Sequence, residues 1–138
     1  MSFAAERESL AAPLVAAWDF ETTPVAWPGM DFTPPDRTGD RSNPATWVEW
    51  IPDWSGSDYH DFGGGRFVQG VIECRVYVEP VAGGDFQHRT LIDALESAYT
   101  GQDTSALIFR VQEAMPSALI TQHDWLRQDW ILPFWRDE

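Results

Sequence analysis

The chain has 138 residues, 43% of them apolar, and sets 22 Asp and Glu against 9 Lys and Arg for a formal net charge of −13. That length suits one domain with its own core, and acids dispersed among apolar residues describe a folded chain, not a disordered acidic tail. The charge repels phosphate backbones and anionic headgroups, which disfavours sequence-specific nucleic-acid binding and membrane binding.

A lone cysteine, Cys74, excludes an internal disulfide, and the N-terminus lacks the basic start and long apolar run of a signal peptide. A non-secreted protein in a reducing compartment is expected. The apolar runs fall far short of the roughly 18 residues that suggest a membrane-spanning helix.

Residues 2–18 place Phe3, Leu10, Leu14 and Trp18 at roughly helical spacing behind Ser2 as a cap, with Glu6 and Glu8 near the start. This is the first helix, and Pro13 is expected to kink or break it by removing an amide donor. From Thr22 to Pro44 prolines, glycines and short polar residues forbid a long regular element. Within that stretch Val25, Ala26 and Trp27 are expected to form a short edge strand, and Asp36 to Asn43 an exposed, mobile loop.

Thr46 to Ile51 (TWVEWI) reads as a strand with apolar groups on both faces, and Ser55 to Gly65 as a turn-rich connection. Arg66 to Glu79 is the clearest strand: Val68, Ile72, Cys74, Val76 and Val78 share one parity, the core face, and Gln69, Glu73, Arg75 and Glu79 share the other with Phe67, Val71 and Tyr77, a mixed face. After a loop at 80–85, Phe86, Leu91, Ile92, Leu95 and Tyr99 line one side of a second helix, which Gly101 stops. Ala106 to Gln112 reads as a strand, and the C-terminal region breaks near Asp124 before a last strand at Gln128 to Arg136. The order predicts an α+β fold, a mostly antiparallel sheet with two main helices packed on one side. We read one domain over 1–138 with exposed loops at about 33–45 and 53–65.

The chemistry-bearing residues do not assemble into a site. His60, His88 and His123 are too scattered for metal or acid–base work, and His60 in SDYHDF reads as a solvated loop residue. DRTGDRSNP and DWSGSDYHDFGG lack the register of a calcium loop, and Gly63 to Gly65 lack the strand, helix and Lys-Ser/Thr pair of a phosphate loop. Cys74 shares the apolar parity of its strand and reads as a small core residue. No enzyme activity, metal or cofactor is expected.

The eight tryptophans point elsewhere, because Trp is favoured in cores and in the desolvated centres of interfaces. In WILPFW, Trp130, Leu132 and Phe134 face one way and Ile131, Pro133 and Trp135 the other, so a second cover is needed beyond the core. Trp47, Trp50, Trp130, Phe134 and Trp135 are therefore candidates for a subunit interface, with ordinary core strands as the competing reading. A tryptophan-rich carbohydrate-binding module is a rival reading, although such a platform usually belongs to a secreted protein.

The alanine-rich first helix, PVAWPGMDFTPP at 24–35, TWVEWI and the final WILPFWRDE together resemble the tail terminator proteins of long-tailed bacteriophages, related to minor tail protein U of lambda-like phages. The similarity covers most of the chain through loose motifs. It implies an α+β subunit without enzymatic residues or cofactors, which closes into a homo-hexameric ring at the head-proximal end of the tail tube, ends polymerisation and joins the tail to the head connector. Implied partners are other copies, the tail tube protein and head–tail connector or neck proteins, with phage DNA passing through the lumen without specific binding. The implied location is the virion tail or neck, assembled in the bacterial cytoplasm. On that reading Asp36, Asp40, Asp58 and Asp61 are candidate channel-facing acids, since a DNA passage benefits from not gripping phosphates. Pro13, the acidic 53–61 loop and the tryptophan load depart from the family pattern. Another neck or head–tail joining subunit is the nearest alternative.

Overall fold

The computed structural model describes residues 3–53, 58–60, 66–81, 84–100, 110–111, 115–116, 120–122 and 124–137, with side-chain surroundings for 7–53, 70–81, 87–99, 120–122 and 124–134. Its elements are α1 (Phe3–Ala17), β1 (Val25–Ala26), β2 (Thr46–Asp53), β3 (Asp58–His60), β4 (Arg66–Val78), α2 (Gly84–Thr100), β5 (Arg110–Val111), β6 (Met115–Pro116), β7 (Ile120–Gln122) and β8 (Trp125–Asp137). The strands form one sheet in the order β1-β2-β4-β8-β5, with β3 on β4 and β6 and β7 on β8. The fold is α+β. All pairings are antiparallel except β1 with β2, which run parallel.

Register explains the core. Val48 lies opposite Val76, Trp50 opposite Cys74, Cys74 opposite Trp130, and Ile72 opposite Leu132, so the even-numbered residues of the three long strands share one face. Leu10 and Leu14 of α1 and Ile92, Leu95, Ala98 and Tyr99 of α2 pack on that face in one cluster. At the centre, the Tyr99 hydroxyl accepts from Trp50 Nε1 at 3.0 Å and donates to the Leu10 carbonyl at 2.9 Å, joining both helices to β2. Cys74 is buried in the cluster, and burial pushes its thiol pKa up.

Several expectations are corrected. Helix α1 runs through Pro13 without ending. Losing one amide bond and accommodating the ring costs about 3 kcal/mol, which burial of Leu10 and Leu14 on either side, at about 1.5–3 kcal/mol each, offsets. Asp58–His60 is a strand opposite Arg66–Val68, where only a turn-rich connection was expected. Gly101 and most of 106–112 lie outside the described residues; Arg110–Val111 is strand.

The break near Asp124 is a hairpin. Gln122 pairs directly with Trp125, and Asp124 before it adopts the left-handed region at φ 65°. At Gly70 a Cβ would collide with the Asp53 carbonyl oxygen and stand 2.7 Å from Phe134 Cζ. The Phe134 ring covers the position that glycine leaves open.

Candidate interaction surfaces

The odd-numbered face of the sheet is opposite the helices. There Glu49, Arg75 and Asp129 lie side by side on β2, β4 and β8. Arg75 bridges Glu49 at 3.2 Å and Glu73 at 3.1 Å, while Arg127 grips Asp129 in a fork at 2.6 and 2.7 Å and donates to Gln122. The hydrogen bond to Asp129 raises the Arg127 pKa further above its ordinary value. Pairing between same-face neighbours, along β4 and β8 and across from β4 to β2, thus consumes much of the charge at the middle of this face, and partial burial of Arg127 and Asp129 (14% and 13% exposed) shields them from screening.

At one end of this face an aromatic cluster replaces the charges. Trp47 stacks on Tyr77 with ring centroids 3.9 Å apart, meets Trp125 edge-on at 6.1 Å and Phe32 at 5.1 Å. The 31–45 segment lies over it. Arg37 donates to the Asp124 carbonyl at 2.6 Å with its guanidinium 5.3 Å from the Trp125 ring.

Glu79, 4% exposed, anchors that segment. Its carboxylate accepts from the amides of Thr38 (3.0 Å), Gly39 (2.8 Å) and Ala45 (3.0 Å) and from Thr38 Oγ1 (3.1 Å). The Ala45 amide, opposed by desolvation and joined by those of Gly39 and Thr38, holds its pKa down to about 2. Asp36 to Asn43 is exposed, as expected, but tethered where mobility was expected. A strand-end carboxylate substitutes for the regular backbone pairing that prolines and glycine deny this loop.

The opposite corner, at the β1–β2 edge, is apolar. Met30 N donates to Trp27 O at 3.3 Å around Pro28 and Gly29, with Gly29 at φ 73°, the arrangement of a type II turn. The turn holds Met30 outward at 67% exposure. On one side a groove of about 460 Å³ runs under Phe32 and Pro34 to Glu49 and Ile51; on the other, about 290 Å³ opens between Met30 and Ala11 and Val15 of α1.

The expected site residues separate accordingly. Trp50, Trp130 and Phe134 are at most 1% exposed within the helix-side core, so they present no patch to another copy. Their strands are apolar on that face because two helices cover it. Trp47 is half-buried in the aromatic cluster, and the side chain of Trp135 lies outside the described residues. Asp36 and Asp40 are exposed, with Asp40 held below the usual carboxylate range by the Ser42 hydroxyl and amide. Asp58 is placed in β3 but its side chain, like all of Asp61, lies outside the described residues. His88 is fully buried, its Nε2 donating to the Leu126 carbonyl at 2.9 Å. Among the described residues no cluster of His, Cys, Asp or Glu is arranged to hold a metal, and no helix is long and apolar enough to cross a membrane.

Sequence reasoning missed the Glu79 clamp, the Arg127 network and the Met30 corner. Only the last had a local signal, the Pro28-Gly29 pair that turns the next residue outward.

No family model matches the chain, and no curated protein matches it. A solved structure aligns over 93% of this chain and 93% of its own, with a TM-score of 0.55 and 17% identity. At that identity the likeness shows the α+β fold alone.

Proposed function

We propose that this chain is a tail terminator subunit of a long-tailed phage, forming a hexameric ring that caps the tail tube, ends its growth and joins it to the head connector. The observation that carries the reading is the resemblance over residues 24–35, the TWVEWI strand and the final WILPFWRDE. Those segments are the β1 edge with its following turn, β2, and the end of β8. The sheet's open face, with the charges at its middle paired, and its two unlike edges suit a subunit that works through contact. Asp36 and Asp40 on the tethered loop are the described acids proposed to face the channel, where negative charge lets DNA slide past.

Native mass measured over a concentration range tests this, followed by mixing with purified tail tubes. A species near six times the subunit mass, or binding confined to tube ends that halts elongation, is expected. A chain that stays monomeric and leaves tube growth unchanged refutes the reading. Binding to a portal instead of a tube end would move it to another head–tail joining role. The carbohydrate-module reading gains nothing from the fold: the described tryptophans are buried or half-buried, and Trp47 is stacked on Tyr77.

A further inference from the structure

Large apolar side chains exposed to solvent are few among the described residues, and their positions are unequal. Val15 (59%) and Met30 (67%) stand together at the β1–β2 edge, and Ile120 (48%) stands on β7 at the opposite edge. The first two line the groove of about 290 Å³ with Ala11, Trp27 and Pro28, a concave apolar site. Ile120, opposite Arg127 on β8, stands on the open face, exposed.

Charge follows the same division. The groove side carries Glu8 beside Arg7, with Asp31 and Glu49 lining the adjoining groove. Strands β5, β6 and β7 carry Arg110 and no acid, in a chain with 22 acids, although Glu113 lies between β5 and β6 in sequence and Asp124 sits in the turn beyond them next to Arg37. A molecule of net charge −13 meets its own copies against repulsion, so a contact between copies needs one acid-poor surface. This edge supplies it.

We infer that copies of this chain join head to tail, Ile120 of the β7 edge seating in the Val15–Met30 groove of the next copy. The inference rests on the ring reading and names the two surfaces that build it. Because the patches differ, the contact is heterologous and propagates around a ring instead of stopping at a two-fold dimer. Side chains make the contact, since Pro28 and Pro52 withhold amides along the β1–β2 edge and discourage strand addition.

The test uses the full chain. Met30→Cys and Ile120→Cys are made separately, mixed and oxidised; Cys74 is buried and does not compete. The mixed disulfide should exceed either self-disulfide. Ile120→Asp and Met30→Asp should each weaken self-association by about tenfold or more while the thermal midpoint of the monomer stays near wild type. If wild type forms rings but both Asp variants keep its native mass and no mixed disulfide appears, these edges are not the contact and the ring reading survives. If wild type is monomeric at every concentration and on tube ends, with no mixed disulfide, both fall.

Discussion

Replacing Glu79 with Gln removes the charge that four donors converge on while keeping the side chain's size. The carboxyl is held from 4.5 down to about 2. Each tenfold gain in acidity corresponds to about 1.4 kcal/mol, so the carboxylate contributes about 2–3 kcal/mol near neutral pH once the solvent beside the loop is allowed for. Because the folded-state pKa is depressed, that stabilisation is complete above pH 4.5 and is lost as pH falls from there through about 2. Urea unfolding of wild type and Glu79→Gln, repeated from neutral pH downward, should therefore show a gap of about 2–3 kcal/mol that closes on acidification. Carboxylates common to both proteins cancel in the difference. Hydrogen exchange gives the local readout: the Thr38, Gly39 and Ala45 amides should be protected in wild type and exchange faster in the variant. A gap that is absent at neutral pH, or that persists unchanged in acid, would show that the carboxylate does not hold the loop.

Tyr99→Phe leaves the Trp50 indole N–H without its acceptor in a closed core and should cost about 1–3 kcal/mol in chemical denaturation. Gly70→Ala drives a methyl against the Asp53 carbonyl and the Phe134 ring, and should lower stability by about 1–3 kcal/mol, read as a drop in thermal midpoint. Trp130→Ala should cost about 3–5 kcal/mol, because the ring is fully buried. Trp130→Phe should cost much less, since it also removes an indole N–H that is buried without a partner. If Trp130→Ala instead kept wild-type stability and lost only self-association, the core assignment would be wrong.

What the sequence disclosed and what it concealed follow from how far each feature reaches along the chain. The period-2 pattern of β4 is local, and it identified Ile72, Cys74, Val76 and Val78 as core from spacing alone. The tryptophans of β2 and β8 were ambiguous because a strand apolar on both faces does not say what covers either. Register settles it, putting Trp50 and Trp130 on either side of Cys74, beneath Tyr99. Register depends on pairings across some fifty residues, which local periodicity does not encode. Glu79 shows the same limit: an acid at a strand end reads as a solvated charge until a loop about forty residues earlier brings three amides to it.

The basic residues explain where the chain's charge ends up. All nine are arginine, and the two on the open face are committed, Arg75 to Glu49 and Glu73, Arg127 to Asp129. A planar guanidinium serves two carboxylates or grips one with two bonds, which a lysine ammonium does not do with the same geometry. Three acids, Glu49, Glu73 and Asp129, are thereby held against two cations at the middle of the open face, while Asp53 stands exposed at the end of β2. The surplus negative charge therefore belongs to loops and rims, Asp36 and Asp40 on the tethered segment and Glu8 and Asp31 beside the grooves. A sheet that pairs the charges at its middle and differs at its edges directs association to those edges, which is why the acid-poor β7 side and the apolar Val15–Met30 groove are the surfaces to mutate first.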